Sequence, residues 1–348
     1  MVTLRELLGV ELPLIQAPMA GCQGSALAVA VANAGGLGSL PGAMLGTEAL
    51  REELGAVRSQ TSKPFNVNFF CHAMPEPDAK REAAWRAALA PYFAELGIDA
   101  EAIPIGSGRV PFSEQSAAVL EEVRPAVVSF HFGLPPEGLL ERVRSLGARI
   151  LSSATTVEEA LWLEARGVDA VIAQGIEAGG HRGSFLARGL HAELGTFALL
   201  PQIVDAVKVP VIAAGGIADA RGIAAAMALG AAGVQVGTAY LLCPEATTSA
   251  VHRRALTSDA ARVTAITNVF TGRPARGIMN RLMRELGPMS DVPPAFPLAT
   301  AALAPLRAKA EGAGSSDFTQ LWAGQNVSGC KAVSAAALTR ELASGFAA

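Results

Sequence analysis

The chain has 348 residues, 51% hydrophobic and 17% charged, ample apolar material for a large buried core, which excludes a disordered chain. Its 28 Lys and Arg residues stand against 31 Asp and Glu, for a formal net charge of -3; no basic run breaks that balance, so nucleic acid is not an expected partner. Cys22, Cys71, Cys243 and Cys330 have neither CxxC nor metal-finger spacing and MVTLRELLGV carries no secretory pattern, so buried thiols, no metal centre and a cytoplasmic location are expected.

Along the chain, short β-branched or apolar runs recur, each followed by a glycine or polar turn and an Ala-rich or amphipathic stretch, the alternation of repeated βα units. Eight strands are predicted, at Leu14 to Ala17, Leu37 to Ser39, Phe65 to Asn68, Val127 to Phe130, Arg149 to Ser152, Ala170 to Ala173, Val211 to Ala214 and Val234 to Val236. Runs such as VPVIAAGG and GVQVGT are nearly continuous rather than alternating, which marks a parallel sheet covered on both faces. The uncharged stretches from Leu12 to Thr47 and Gly222 to Pro244 are cut by Pro18, Gly21, Pro41, Gly230 and Gly237. They read as short buried pieces rather than membrane spans.

Helices are predicted around Asp78 to Leu96, at Thr155 to Arg166 with a threonine N-cap and Gly167 as terminator, and at Ala218 to Leu229,. Eight βα steps, with no Gly-rich turn after the first strand, predict an α/β chain folded as a (β/α)8 TIM barrel rather than an open doubly wound sheet. The barrel is assigned to residues 1–72, 113–242 and 315–348. Segments 73–112 and 243–314 break its rhythm and are expected to form a smaller, mainly helical lid over the C-terminal face, where substrate binds.

AAGGI at Ala213 to Ile217 and QVGT at Gln235 to Thr238 end consecutive strands. In a barrel, the loops after the last two strands commonly cradle a phosphate, and Gly215, Gly216 and Gly237 would let backbone N–H groups approach its oxygens. Tight turns and close helix packing are the plainer reading. His181, in AQGIEAGGHRG after the sixth strand, sits where a barrel places catalytic groups,. His131, between two phenylalanines, reads equally as pocket wall and proton carrier. Asn68 and Gln174 carry amides suited to the edge of a polar heterocycle, or to ordinary loop satisfaction. Met19, Phe69, Phe70, Phe130 and Phe132 could line an apolar pocket. No GxSxG elbow, P-loop or HExxH helix is present. That leaves a phosphate-bearing cofactor doing chemistry side chains cannot do.

PLIQAPMAG (Pro13 to Gly21), NVNFF (Asn66 to Phe70), SFHFGLP (Ser129 to Pro135), AQGIEAGGHRG, AAGGIADA, QVGTAYL and LWAGQ (Leu321 to Gln325) together resemble the nitronate monooxygenases, formerly 2-nitropropane dioxygenases, in their bacterial class I branch. The resemblance implies an FMN-dependent TIM-barrel flavoenzyme that converts alkyl nitronates with O2 to a carbonyl compound and nitrite, without a pyridine nucleotide. It assigns FMN contacts to Met19, Asn68, Gln174, Gly179, Gly180, Gly215 and Gly216, and to Gln235, Val236, Gly237, Thr238 and Gln325. It makes His181 the catalytic histidine, as an imidazolium attracting the nitronate or as a neutral base toward a nitroalkane. His131 and Phe296 fall in the substrate pocket; Phe296 stands in what resembles a tyrosine position, and Tyr92 and Tyr240 are the only tyrosines, so a more apolar pocket is expected. A monomer or homodimer is expected. The competing readings are an FMN-dependent NAD(P)H reductase of quinones or enoyl thioesters, and a flavin-binding barrel without catalysis. Cys22, Cys71 and Cys243 fit poorly as an IMP-dehydrogenase-like nucleophile.

Overall fold

The computed structural model describes residues 3–103, 109–186 and 189–347; parts of the predicted segments falling on residues 1–2, 104–108, 187–188 and 348 lie outside these. Eleven strands form: β1 (Leu14–Gln16), β2 (Gly38–Pro41), β3 (Phe65–Phe70), β4 (Val127–His131), β5 (Arg149–Ala154), β6 (Ala170–Gln174), β7 (Gly180–His181), β8 (Val211–Ala214), β9 (Gly233–Val236), β10 (Thr264–Thr267) and β11 (Ala275–Ile278). Eight of them make one parallel sheet in the order β1-β9-β8-β6-β5-β4-β3-β2. The outer strands then meet, because the Leu37 N–H donates to the Leu14 carbonyl (2.8 Å) and the Gln16 N–H to the Leu37 carbonyl (2.9 Å). The sheet is a TIM barrel, and each of its eight strands lies within two residues of its predicted ends.

The continuous hydrophobicity of the strands follows from burial on both faces. Ile15, Leu37, Val127, Leu151, Ile172 and Ile212 form one cluster, with Leu4 and Leu8 of the helix Leu4–Leu8 packed onto it. Their sequence neighbours Leu14, Val128, Ile150, Val171, Ala173 and Ala213 join the larger cluster with the surrounding helices. The pleat thus sends alternate side chains to the barrel interior and to the helical shell. Helix Val157–Glu164 is capped by Thr156, whose hydroxyl accepts from the Glu159 N–H (3.2 Å), and helix Ala220–Ala228 by Asp219, which accepts from the Gly222 N–H (3.0 Å).

The described residues of segments 73–112 and 243–314 pack on one another around a separate core that includes Trp85, Leu89, Phe93, Phe270, Leu303 and Phe318. Helix Ala79–Leu96, capped by Asp78, comes from the first and helix Thr300–Gly312 from the second. The Trp85 indole N–H donates to the Ala299 carbonyl (3.1 Å), so the ring is buried with its one polar atom satisfied,. One feature departs from the predicted helical lid: β10, β11 and β7 form a three-stranded antiparallel sheet, pairing Ala275 with His181 and Arg276 with Gly180. The second insertion is thereby stitched to the loop that follows β6. Among the described residues, no helix is long and apolar enough to cross a membrane.

Candidate active site

A cavity opens at the C-terminal ends of the barrel strands. Its floor follows from strand parity. The interior-facing positions of β3, β4, β6 and β9 near their C-terminal ends are Asn68, Ser129, Gln174 and Gln235, and all four line it. Asn68 donates its amide to the Ser129 hydroxyl (2.9 Å) and carbonyl (3.2 Å). Gln235 Oε1 is buried with no hydrogen-bond partner among the described residues. Such an atom calls for a donor from a bound group.

On one side lie the two glycine loops. Gly216, after β8, has φ +71°, a backbone conformation glycine adopts freely,; after β9, Gly237 leads into the short turn Thr238–Leu242. The N–H groups of Gly216, Gly237 and Thr238 donate to no other described residue. Asn326 donates to the Gly216 carbonyl (3.2 Å) and the Gly324 N–H to the Thr238 hydroxyl (2.9 Å). These bonds hold segment 321–326 against the loops. A Cβ on Gly179 would sit 2.6 Å from the backbone of Ala323 and Gly324, so only glycine allows that approach.

His181 lines the same cavity, 8% exposed, its Nε2 3.0 Å from the Thr271 hydroxyl. Its loop is fixed from several directions. Gln174 donates to the His181 carbonyl (3.1 Å) and accepts from the Gly183 N–H (2.7 Å). Fully buried Arg182 donates from Nε to Glu193 (2.6 Å) and from its terminal nitrogens to the carbonyls of Gly175 (2.9 Å) and Gln174 (2.8 Å). Buried Glu159 accepts from the N–H groups of Phe185 (2.6 Å) and Leu186 (3.0 Å).

His131 also reaches this loop. Its Nε2 is 3.2 Å from the His181 carbonyl and its Nδ1 3.0 Å from the Ser153 hydroxyl. A carbonyl can only accept, so Nε2 carries the proton and Ser153 donates to Nδ1. Burial, with the charges of Arg273 and Arg182 adding to it, pushes this imidazole down to about 3. His181 is held well below the usual imidazole range by burial, then by the positive charge of Arg109 and Arg273 and by the neighbouring histidines. Both histidines are therefore neutral at physiological pH. No Asp or Glu lines the cavity among the described residues, while Arg109 does.

Most residues singled out in the sequence come together here: Met19, Asn68, Gln174, Gly179, Gly180, His181, Gly215, Gly216, Gln235, Gly237, Thr238 and His131 all line the cavity. Val236, Gln325 and Phe296 do not line it, and of the phenylalanines expected there Phe70 does, while Phe69 and Phe130 pack into the core under the helices and Phe132 lies behind Phe70. Val236, 1% exposed, follows inward-facing Gln235 and so turns into the helical shell,. Gln325 has an exposed side chain and only its N–H is fixed, to the Glu177 carbonyl (3.0 Å). Phe296 is buried with Phe70 and Phe132, its ring 5.2 Å from that of His181. Gln174 lies at the predicted place, with its amide committed to the His181 loop rather than to a heterocycle. Arg109, Thr271, Trp322, Asn326 and the Arg182–Glu193 pair are site residues that the sequence reading does not single out. Arg109, Thr271, Asn326 and Glu193 come from segments without a motif, whereas LWAGQ holds Trp322 and AQGIEAGGHRG holds Arg182, where the signal was adjacency to His181.

The family model described as nitronate monooxygenase matches residues 2–345. A nitronate monooxygenase from Pseudomonas aeruginosa is 45% identical over 339 residues, 97% of this chain and 96% of that protein. Among solved structures, a nitroalkane oxidase from Streptomyces ansochromogenes aligns with a TM-score of 0.89 at 39% identity, covering 99% of this chain and 97% of the other. FabK from Thermotoga maritima aligns with a TM-score of 0.71 at 26% identity, covering 100% of this chain and 96% of the other.

Proposed function

Because the chain belongs to the nitronate monooxygenase family, we propose that it is an FMN-dependent enzyme that oxidises alkyl nitronates with O2 to a carbonyl compound and nitrite. The observation that carries this reading is the pairing of a neutral, buried His181 with a carboxylate-free cavity containing a buried cation, beside two glycine loops with unspent N–H groups. The residues fit FMN: Gly216, Gly237 and Thr238 would hold its phosphate, and Asn68 and Gln235 the polar edge of its ring system. Bound there, FMN supplies the redox chemistry that the side chains lack.

The remaining work falls to the protein. With the Thr271 hydroxyl donating to the Arg273 carbonyl (3.3 Å), its lone pair accepts from His181 Nε2–H. Nδ1, which makes no hydrogen bond to the described residues, is then the basic nitrogen. It can accept the α-proton of a nitroalkane, yielding the nitronate in place. In that case the proton rests on His181 beside the anion it has made; a nitronate supplied from outside meets a neutral His181 and is attracted by the fixed charge of Arg109. Phe70, backed by Phe132 and Phe296, supplies the apolar wall, and the described residues of segments 73–112 and 243–314 act as the lid that keeps water out. The four free thiols suit a cytoplasmic setting,.

His181→Asn tests the assignment. Flavin content should stay as in the parent protein, while turnover of a nitroalkane falls by about 100-fold or more, in the range of lost general-base catalysis. Unchanged nitroalkane turnover would remove His181 from the mechanism.

A further inference from the structure

The fold satisfies two other deeply buried guanidiniums with care, and of these Arg276 donates to the Ile176 carbonyl (2.9 Å) and the Thr264 hydroxyl (3.1 Å). Arg182 is fully paired with Glu193 and two carbonyls. Arg109 is treated differently. It is 9% exposed, its Nε and Nη1 are buried with no hydrogen-bond partner among the described residues, and Nη2 reaches only the Met44 sulfur, at 3.7 Å. Burial and the charge of Arg307 bring its pKa down to about 10, which still leaves it a cation at neutral pH,. It lines the same cavity as His181 and heads the charges acting on that imidazole. Its guanidinium carbon lies 5.9 Å from the centre of the Phe296 ring, which in turn stands 5.2 Å from His181 and 4.8 Å from His72. A desolvated cation facing a cavity with no carboxylate among its described lining residues is suited to receive an anion,.

We propose that Arg109 is the specificity-determining residue of the pocket: its Nε and a terminal nitrogen receive the two oxygens of the substrate's anionic head, while Phe70, backed by Phe132 and Phe296, takes the apolar tail. A planar guanidinium fork matches a planar two-oxygen anion, and a nitronate and a carboxylate share that shape. The inference rests on the nitronate reading for the identity of the head group, and makes the enzyme a selector of anions over neutral compounds of equal size.

The experiment uses the flavin-loaded full chain and its Arg109→Gln and Arg109→Lys variants. Calorimetry measures butyrate, an unreactive carboxylate, against uncharged butyramide, and steady-state kinetics measures propyl-1-nitronate. The wild type should bind butyrate at least about ten-fold more tightly than butyramide. Arg109→Gln should abolish that preference and raise KM for the nitronate by about 10- to 100-fold, with kcat changed less than about three-fold. Arg109→Lys should keep the preference at reduced affinity. Equal binding of butyrate and butyramide by the wild type, or wild-type butyrate binding by Arg109→Gln, overturns the proposal. Should Arg109→Gln fail to fold, the wild-type comparison and Arg109→Lys still decide. Calorimetry needs no turnover, so a protein that prefers butyrate through Arg109 yet leaves propyl-1-nitronate untouched would sustain the anion site and sink the nitronate reading.

Discussion

Replacing Arg182 by Met asks how much the loop that presents His181 depends on one buried ion pair. Methionine keeps much of the volume and removes the charge, stranding the Glu193 carboxylate and the carbonyls of Gly175 and Gln174. Glu193 Oε1 already has no partner among the described residues. Breaking a buried pair on one side costs about 3–5 kcal/mol. At about 2.1 cal/mol/K per residue, a chain of 348 residues unfolds with an entropy of about 0.7 kcal/mol/K, so Tm should drop by about 4–7 °C. The deficit should depend on pH. Burial already holds the Glu193 carboxyl above its ordinary range, and Arg182 is the first of the influences pulling it down; without that charge it rises further. A carboxyl whose folded pKa exceeds its unfolded one stabilises the fold fully below the unfolded value and loses that contribution as pH rises through the folded value. The variant should therefore lag least near pH 5 and most near pH 8. Arg182→Met/Glu193→Leu removes both charges and should recover most of the loss at pH 8, because an apolar replacement of the whole pair is close to neutral. Thermal unfolding of the four proteins in that cycle, followed by circular dichroism, is the assay. A single variant melting within about 1 °C of the parent, or a double variant no better than Arg182→Met, would refute the reasoning.

Gln174→Leu should cost about 1–3 kcal/mol in urea unfolding and lower kcat while leaving flavin content intact, since the amide serves the His181 carbonyl and the Gly183 N–H,; flavin loss would restore a cofactor role. Gly216→Val places a β-branched side chain at φ +71° in the glycine loop, a backbone cost of about 1–2 kcal/mol. The absorbance ratio of flavin to protein should fall, and full occupancy would contradict the phosphate assignment. For His131, burial puts the folded pKa at about 3, below its ordinary 6.5. Between those values the unfolded chain binds the extra proton, so stability is lost as pH falls below 6.5, by about 1.4 kcal/mol per pH unit for one proton. His131→Asn should flatten the urea-midpoint profile between pH 6 and pH 4 by that amount, and parallel profiles would show that His131 is not buried neutral.

The barrel was legible because a parallel strand covered on both faces has no polar alternation to blur it. VVSF and AVIA read as strands on composition alone, and glycine turns marked where each ended,. The glycine loops and His181 were legible for a related reason: in a barrel, position relative to a strand's C-terminal end carries functional meaning. Strand parity also fixes where the Val236 side chain goes, since a residue following inward-facing Gln235 must face outward,. The sheet of β7, β10 and β11 left no such trace. β7 has only two residues and one is glycine, so its pairing is set by tertiary contact rather than propensity. Arg109 could not be read from a motif either. What distinguishes it is the lack of a partner in a buried setting, and that exists only once the insertions have packed.

The most direct test of the account is the absorbance of the purified, flavin-containing protein under anaerobic conditions, with propyl-1-nitronate added to one sample and NADPH to another. The account predicts that the flavin spectrum changes with the nitronate and that nitrite appears once oxygen is admitted, while NADPH leaves the spectrum as it was. Bleaching by NADPH in a protein indifferent to the nitronate would contradict it and make the chain a reductase.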